Sequence, residues 1–134
     1  SVQSDESTVT LVSSQRSSVM SNLRNMANAV KACFELAGAE VIQNDGYPAW
    51  KMNADSELQR IAIQEYKKLF GHDPKVLGIH AGLECGLFSE KYPGIDMISF
   101  GPTLRFVHTP DERLLIPTVQ MVWDHMLAIL REID

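Results

Sequence analysis

Residues 75–100, KVLGIHAGLECGLFSEKYPGIDMISF, decide the fold that we predict for this chain. The stretch opens with KVLGIH at 75–80, a short apolar run that predicts a buried strand. Residues 82–89 then predict a turn that leads into a short helix, and DMISF at 96–100 predicts a second strand. Strands that alternate with helices in this order are typical of an α/β layer, in which helices pack on a sheet.

Helical periodicity flanks this stretch on both sides. Apolar side chains recur at helical spacing in residues 17–37, 56–69 and 117–133. Ser56 and Gln59 have the spacing of a capping box, and Pro117 suits a first helical position. We therefore predict three further helices.

The segment NDGYP at 44–48 is a dense cluster of turn formers and the best candidate for a domain boundary. Before it, short strands predicted at 8–14 and 39–43 enclose a helix, as in half of a small α+β unit. After it, the pattern is that of the α/β layer. Two unlike halves joined at such a turn indicate the end of an inserted domain that returns to its parent domain.

The composition is that of a globular protein with a hydrophobic core, with 45% hydrophobic and 22% charged residues. The net charge of -5 argues against nucleic acid or an anionic membrane as the main partner. Cys33 and Cys85 are far apart and have no CxxC spacing, so we expect two buried free thiols and a cytoplasmic setting. The chain begins without Met, and we interpret it as a fragment.

The histidines form no HExxH motif, so no self-contained zinc site is legible in the sequence. We expect His72 and His125 to be solvated surface residues. His80 ends a predicted strand, where α/β proteins bind ligands, and Gly82 would let the backbone approach one closely. The alternative for these two residues is a plain tight turn.

His108 lies in a loop after the next predicted strand, at 101–115, again at the carboxyl end of a strand. A lone loop histidine is either a ligand or a solvated side chain. Asp111 and Glu112 would either orient the imidazole or cap a helix. Arg16 would either fork onto a carboxylate or remain a surface charge.

Three segments favour the functional alternative at these residues. They are HAGLECGLF at 80–88, GPTLRFVHTPDE at 101–112 and GYPAW at 46–50. Together they make the chain similar to the aminoacyl-histidine dipeptidases, also called Xaa-His or cytosol non-specific dipeptidases. This family belongs to the co-catalytic zinc peptidases, with carnosinase and aminoacylase.

The resemblance implies a fold and an assembly. Residues 1–50 would be the end of an α+β lid domain that makes a homodimer. Residues 51–134 would be the closing part of a catalytic α/β/α domain. The substrate would be a dipeptide, with neither nucleic acid nor membrane as a partner.

The resemblance also implies the chemistry, in which two zinc ions activate a water that hydrolyses the amide bond. It places the last metal ligand at His108, and substrate contacts at Arg16, His80, Gly82 and Glu84. The other ligands and the general base have no counterpart in this chain, so we expect it to be inactive alone. The alternative is a binding or dimerisation module without catalysis.

One position departs from the family. Many relatives have glycine where this chain has Phe106, two residues before the expected ligand. If that position needs a positive φ, phenylalanine would be strained there.

Overall fold

The computed structural model describes residues 1–44, 46–79 and 84–133. These residues form four helices and two small antiparallel sheets. In chain order the elements are β1 (Val2–Ser4), β2 (Val9–Leu11), α1 (Met20–Leu36), α2 (Glu57–Phe70), α3 (Glu84–Lys91), β3 (Leu104–Arg105), β4 (Arg113–Leu114) and α4 (Pro117–Glu132). None of these helices is long and apolar enough to span a membrane.

The described residues divide into two compact units. The first comprises Ser1–Met52 and Gly78–Pro93, and the second comprises Asn53–Leu77 and Gly94–Asp134. The first unit therefore contains β1, β2, α1 and α3, and the second contains α2, β3, β4 and α4.

A hairpin and a long helix begin the first unit. β1 pairs with β2 in antiparallel register, Val2 opposite Leu11. The carboxylate of Asp5 closes the turn by accepting hydrogen bonds from the N–H groups of Ser7 and Thr8, and these bonds lower the pKa of Asp5. α1 follows where helical periodicity predicted a helix, and none of its residues is buried.

The second unit is built on the packing of α2 against α4. Ser56 caps α2 as predicted, since its hydroxyl accepts a hydrogen bond from the N–H of Gln59 at 2.9 Å. Gly71 ends the helix in the left-handed conformation, with φ 77°. Ala62 of α2 and Ile129 of α4 form the buried apolar core of this unit.

Three strand predictions are wrong for the described residues. A strand needs a neighbouring segment with which it can pair. Among the described residues, β1 pairs with β2 and β3 pairs with β4. No partner strand pairs with residues 39–43, 75–79 or 96–100. Residues 75–79 are exposed rather than buried. The sequence also failed to predict the small β3–β4 hairpin within the loop at 101–115.

Three side-chain predictions are also wrong, and one of them concerns Cys85, which is half-buried rather than buried. His125 is buried, with 7% of its surface exposed, because its face of α4 packs on α2. Cys33 is exposed, because the face of α1 that carries it contacts no other element in the described parts of the chain. His72 is exposed as expected.

Candidate functional site

The β3–β4 hairpin carries His108 in a loop with an unusual backbone. Leu104 pairs with Leu114 and Arg105 with Arg113, so the seven residues 106–112 form the loop. Phe106 has φ 54° and His108 has φ 64°. Non-glycine residues rarely adopt this left-handed region, because Cβ then crowds the backbone. Two such residues in one short loop mark it as the strained part of the second unit.

A set of local hydrogen bonds holds this backbone. The N–H and the hydroxyl of Thr109 both donate to the carbonyl oxygen of Phe106, at 3.2 and 2.7 Å. The N–H of Glu112 donates to the carbonyl oxygen of Thr109 at 3.1 Å. Thr109 therefore bonds both to the residue that enters the loop and to the residue that leaves it.

Glu112 fixes the main chain of His108. Its Oε2 accepts a hydrogen bond from the N–H of His108 at 2.9 Å. This carboxylate therefore acts on the backbone, which is neither of the two roles that the sequence suggested. The helix-cap alternative is wrong for Asp111 and Glu112, because β4 follows them and α4 begins only at Pro117.

Phe106 is exposed, and the guanidinium carbon of Arg113 lies 5.9 Å from its ring centroid. A cation over an exposed aromatic ring stabilises by roughly 0.5–1 kcal/mol. This contact offsets part of the backbone strain at Phe106. The positive φ at this position agrees with the concern that the sequence raised about phenylalanine there.

Two further expected site residues, Arg16 and Glu84, belong to the first unit. Arg16 lies just before α1 and is exposed. Glu84 is the first residue of α3 and is also exposed, so its negative charge lies where the helix dipole favours it. His80 and Gly82 lie outside the described residues.

The described residues do not form a metal site by themselves. No group of three or more His, Cys, Asp or Glu side chains in residues 1–44, 46–79 and 84–133 is placed to hold an ion. A catalytic zinc usually has about three protein ligands. His108 offers one imidazole, so its loop fits a contribution to a zinc site and not a complete one.

The sequence reasoning missed Asp96, a residue that positions elements of the second unit. Its Oδ2 accepts a hydrogen bond from the N–H of Leu58, in the first turn of α2, at 2.9 Å. This bond from the backbone of Leu58 is the largest cause of the lowered pKa of Asp96. The only signal in the sequence was an acidic residue before an apolar run. That signal does not indicate Leu58 as the partner, because Leu58 and Asp96 are 38 positions apart.

Comparisons with known proteins agree with the resemblance. The cytosol non-specific dipeptidase of Escherichia coli (strain K12) is 41% identical over 99 residues, which are 74% of this chain and 20% of that protein. The crystal structure of aminoacylhistidine dipeptidase from Vibrio alginolyticus matches 88% of this chain with 47% identity and a TM-score of 0.72. The chain is thus similar to part of the aminoacylhistidine dipeptidases.

The structural match confirms the α/β class, since this mixture of helices and small sheets matches part of a solved member of the family. The chain spans 20% of the E. coli dipeptidase and 24% of the V. alginolyticus chain. No protein-family model matches the sequence.

Proposed function

We propose that the polypeptide containing this chain is a metal-dependent dipeptidase that hydrolyses the amide bond of dipeptides, Xaa-His among them, and that His108 is one of its metal ligands. One observation carries the assignment of His108. Its left-handed backbone is fixed by Glu112, within a chain whose structure matches an aminoacylhistidine dipeptidase at 47% identity.

The backbone strain supports a functional role for this loop. A residue in a sparsely populated backbone region costs on the order of 1–3 kcal/mol, and such residues concentrate at sites of function. Phe106 and His108 both carry this cost. Because the hairpin is exposed and short, its own packing gives no reason for two strained residues at its tip.

We assign zinc as the metal. When bound, zinc would activate a water molecule for attack on the amide bond. The imidazole of His108 would give one nitrogen ligand to the zinc. Glu112 would keep that imidazole in place through the backbone, because rotation of the peptide at His108 would break the 2.9 Å bond. The other ligands would come from outside the described residues.

Substrate contacts are proposed for the first unit at Arg16, His80, Gly82 and Glu84. Arg16 is exposed and its planar guanidinium suits a bidentate contact with the substrate carboxylate. Glu84 places a negative charge in the first turn of α3, so it suits a contact with the ammonium group of a dipeptide rather than with its carboxylate.

The domain assignment and the assembly remain proposals. Residues 1–50 would belong to a lid domain and residues 51–134 to the catalytic domain, in a cytoplasmic homodimer. The second candidate function, a dimerisation module, has its own support in α1. This helix carries Leu23, Phe34 and other apolar side chains, yet none of its residues is buried in the described structure.

The decisive assay compares two proteins in parallel. We expect the complete polypeptide to hydrolyse a Xaa-His dipeptide, to lose activity with a chelator and to regain it with zinc. The 134-residue chain alone should not turn over, because it supplies one candidate ligand. A complete polypeptide that binds no metal and cleaves no dipeptide would favour the dimerisation module.

A further inference from the structure

One hydroxyl group joins the base of the His108 hairpin to the first turn of α4. The Oγ1 of Thr118 accepts a hydrogen bond from the N–H of Thr103 at 2.9 Å, and donates one to the carbonyl oxygen of Leu115 at 2.6 Å. The N–H of Leu115 donates to the carbonyl oxygen of Thr103, also at 2.9 Å. Thr118 therefore contacts the chain on both sides, where it enters the hairpin and where it leaves.

Among the described residues, few other contacts fix the orientation of the hairpin. β3 and β4 have two residues each, and all four are exposed. A two-stranded hairpin of this size is at best marginally stable by itself. Its orientation therefore depends on the bonds at its base.

α4 is a suitable base because it is fixed in the second unit. It packs on α2, and the Nε2 of its His125 lies 2.8 Å from the carbonyl oxygen of Ala62 in α2. The hydrogen bond from Thr103 to Thr118, in the first turn of α4, therefore attaches the hairpin to a helix whose own position is fixed.

We propose that Thr118 is a positioning residue for His108: its hydroxyl sets the direction in which the hairpin leaves α4, and with it the place of the imidazole. The inference rests on the proposed role of His108 as a metal ligand. Small displacements matter in such a site, since a shift of about 1 Å can lower a rate by roughly a hundredfold.

Two substitutions separate the hydroxyl from the shape of the side chain. Thr118→Val keeps the branched shape and removes both hydrogen bonds. Thr118→Ser keeps the hydroxyl and removes the methyl group. Thr118→Ala, which has neither, serves as a second test should the valine variant fail to fold.

Amide hydrogen exchange of the complete polypeptide reports the bridge directly. In Thr118→Val, the N–H of Thr103 loses its acceptor, and its exchange should accelerate by roughly 2- to 12-fold, the equivalent of one net hydrogen bond. Thr118→Ser should exchange at Thr103 as the parent protein does.

Metal content and turnover of the same variants report the position of His108. Thr118→Val should lower the affinity for zinc, and kcat with a dipeptide, by roughly 10- to 100-fold, as loss of a supporting contact does. Thr118→Ser should recover both. His108→Ala is measured alongside, and normal metal content and turnover in that variant would reject the proposed function itself.

Two results would overturn the role of Thr118 without bearing on the role of His108. Parental metal affinity and kcat in Thr118→Val would overturn it, whether or not exchange at Thr103 accelerates. A Thr118→Ser variant as defective as Thr118→Val would overturn it too, because the hydroxyl would then not be what positions the hairpin.

Discussion

Gly86 of α3 lies so close to Pro48 that a Cβ added to the glycine would clash with the carbonyl oxygen of Pro48. That oxygen belongs to the backbone and cannot rotate away. Alanine normally stabilises a helix by about 1 kcal/mol relative to glycine. Overpacking at a close contact costs roughly 1–3 kcal/mol, and the fixed carbonyl places this site at the upper end.

We therefore expect Gly86→Ala to lower the free energy of unfolding by about 1–2 kcal/mol in urea titrations. Gly78→Ala is the matched control, since an added Cβ there meets nothing within 4 Å and the φ is outside the left-handed region. The control should be neutral or slightly stabilising. A stabilised Gly86→Ala variant would show that α3 does not rest on Pro48.

His125 of α4 contacts both α2 and the segment that contains Phe100. Its Nε2 must carry a proton, because the carbonyl oxygen of Ala62 at 2.8 Å can only accept. Its ring centroid lies 5.3 Å from that of Tyr66 and 5.0 Å from that of Phe100. We expect His125→Ala to cost on the order of 3 kcal/mol, as other large-to-small changes in a core do.

Two further variants show which interactions of His125 account for the loss of stability in His125→Ala. His125→Phe keeps the ring contacts and loses the hydrogen bond, so it should cost only about 1 kcal/mol. His72→Ala removes an exposed ring that also contacts Tyr66, at 5.4 Å between centroids, and should be nearly neutral. Equal losses for His125→Ala and His72→Ala would contradict the assigned burial.

Asp96 makes stability depend on pH in the acid range. Its pKa is lowered from 3.8 in the folded protein, chiefly by the hydrogen bond from the N–H of Leu58. A carboxylate with a depressed folded pKa stabilises fully above 3.8, and this contribution is lost as the pH falls through the folded value. Asp5 and Glu57 also have lowered pKa values, so the wild-type slope sums several groups.

Asp96→Asn isolates the contribution of this carboxylate. The difference in unfolding free energy between the parent protein and the variant should be about 1 kcal/mol near neutral pH, the typical effect of a capping group. It should shrink steadily as the pH is lowered below 4, when measured by urea unfolding at each pH. A difference that stays constant to pH 2 would show that Asp96 does not cap α2 as an ion.

Phe106 tests the strain in the hairpin loop. At φ 54°, glycine would relieve a cost of roughly 1–2 kcal/mol, while it would lose the contact with Arg113. Phe106→Gly should therefore remain within about 1 kcal/mol of the parent protein. Phe106→Val should be less stable than Phe106→Gly by about 1 kcal/mol or more, because a β-branched residue is poorly suited to this φ. The reverse order of unfolding midpoints would contradict the left-handed backbone.

Local sequence patterns predicted the helices of this chain. The apolar periodicity placed α1, α2 and α4, and the spacing of Ser56 and Gln59 gave the start of α2. These features depend on residues close together in sequence. The strands predicted at 75–80 and 96–100 rested on short local runs of residues, whereas a ladder depends on a partner that a local pattern does not contain.

The sequence indicated a candidate ligand, which stays a prediction, and it did not predict the geometry of the loop that carries it. Family motifs indicated His108 and raised the question of a positive φ at Phe106, which the structure answers. The bond from His108 to Glu112 and the bridge at Thr118 depend on how the hairpin folds back on itself. A contact between residues 103 and 118 leaves no periodic signal in the sequence.

The central claim, that His108 is a metal ligand, is tested most directly by the metal content of the complete polypeptide with His108→Ala. We expect this variant to lose about one zinc equivalent and most of its turnover, because one ligand of roughly three is removed. Glu112→Gln serves as the control for the loop, and it should reduce activity only by roughly 10- to 100-fold. Full metal content with normal dipeptide turnover in His108→Ala would contradict the account.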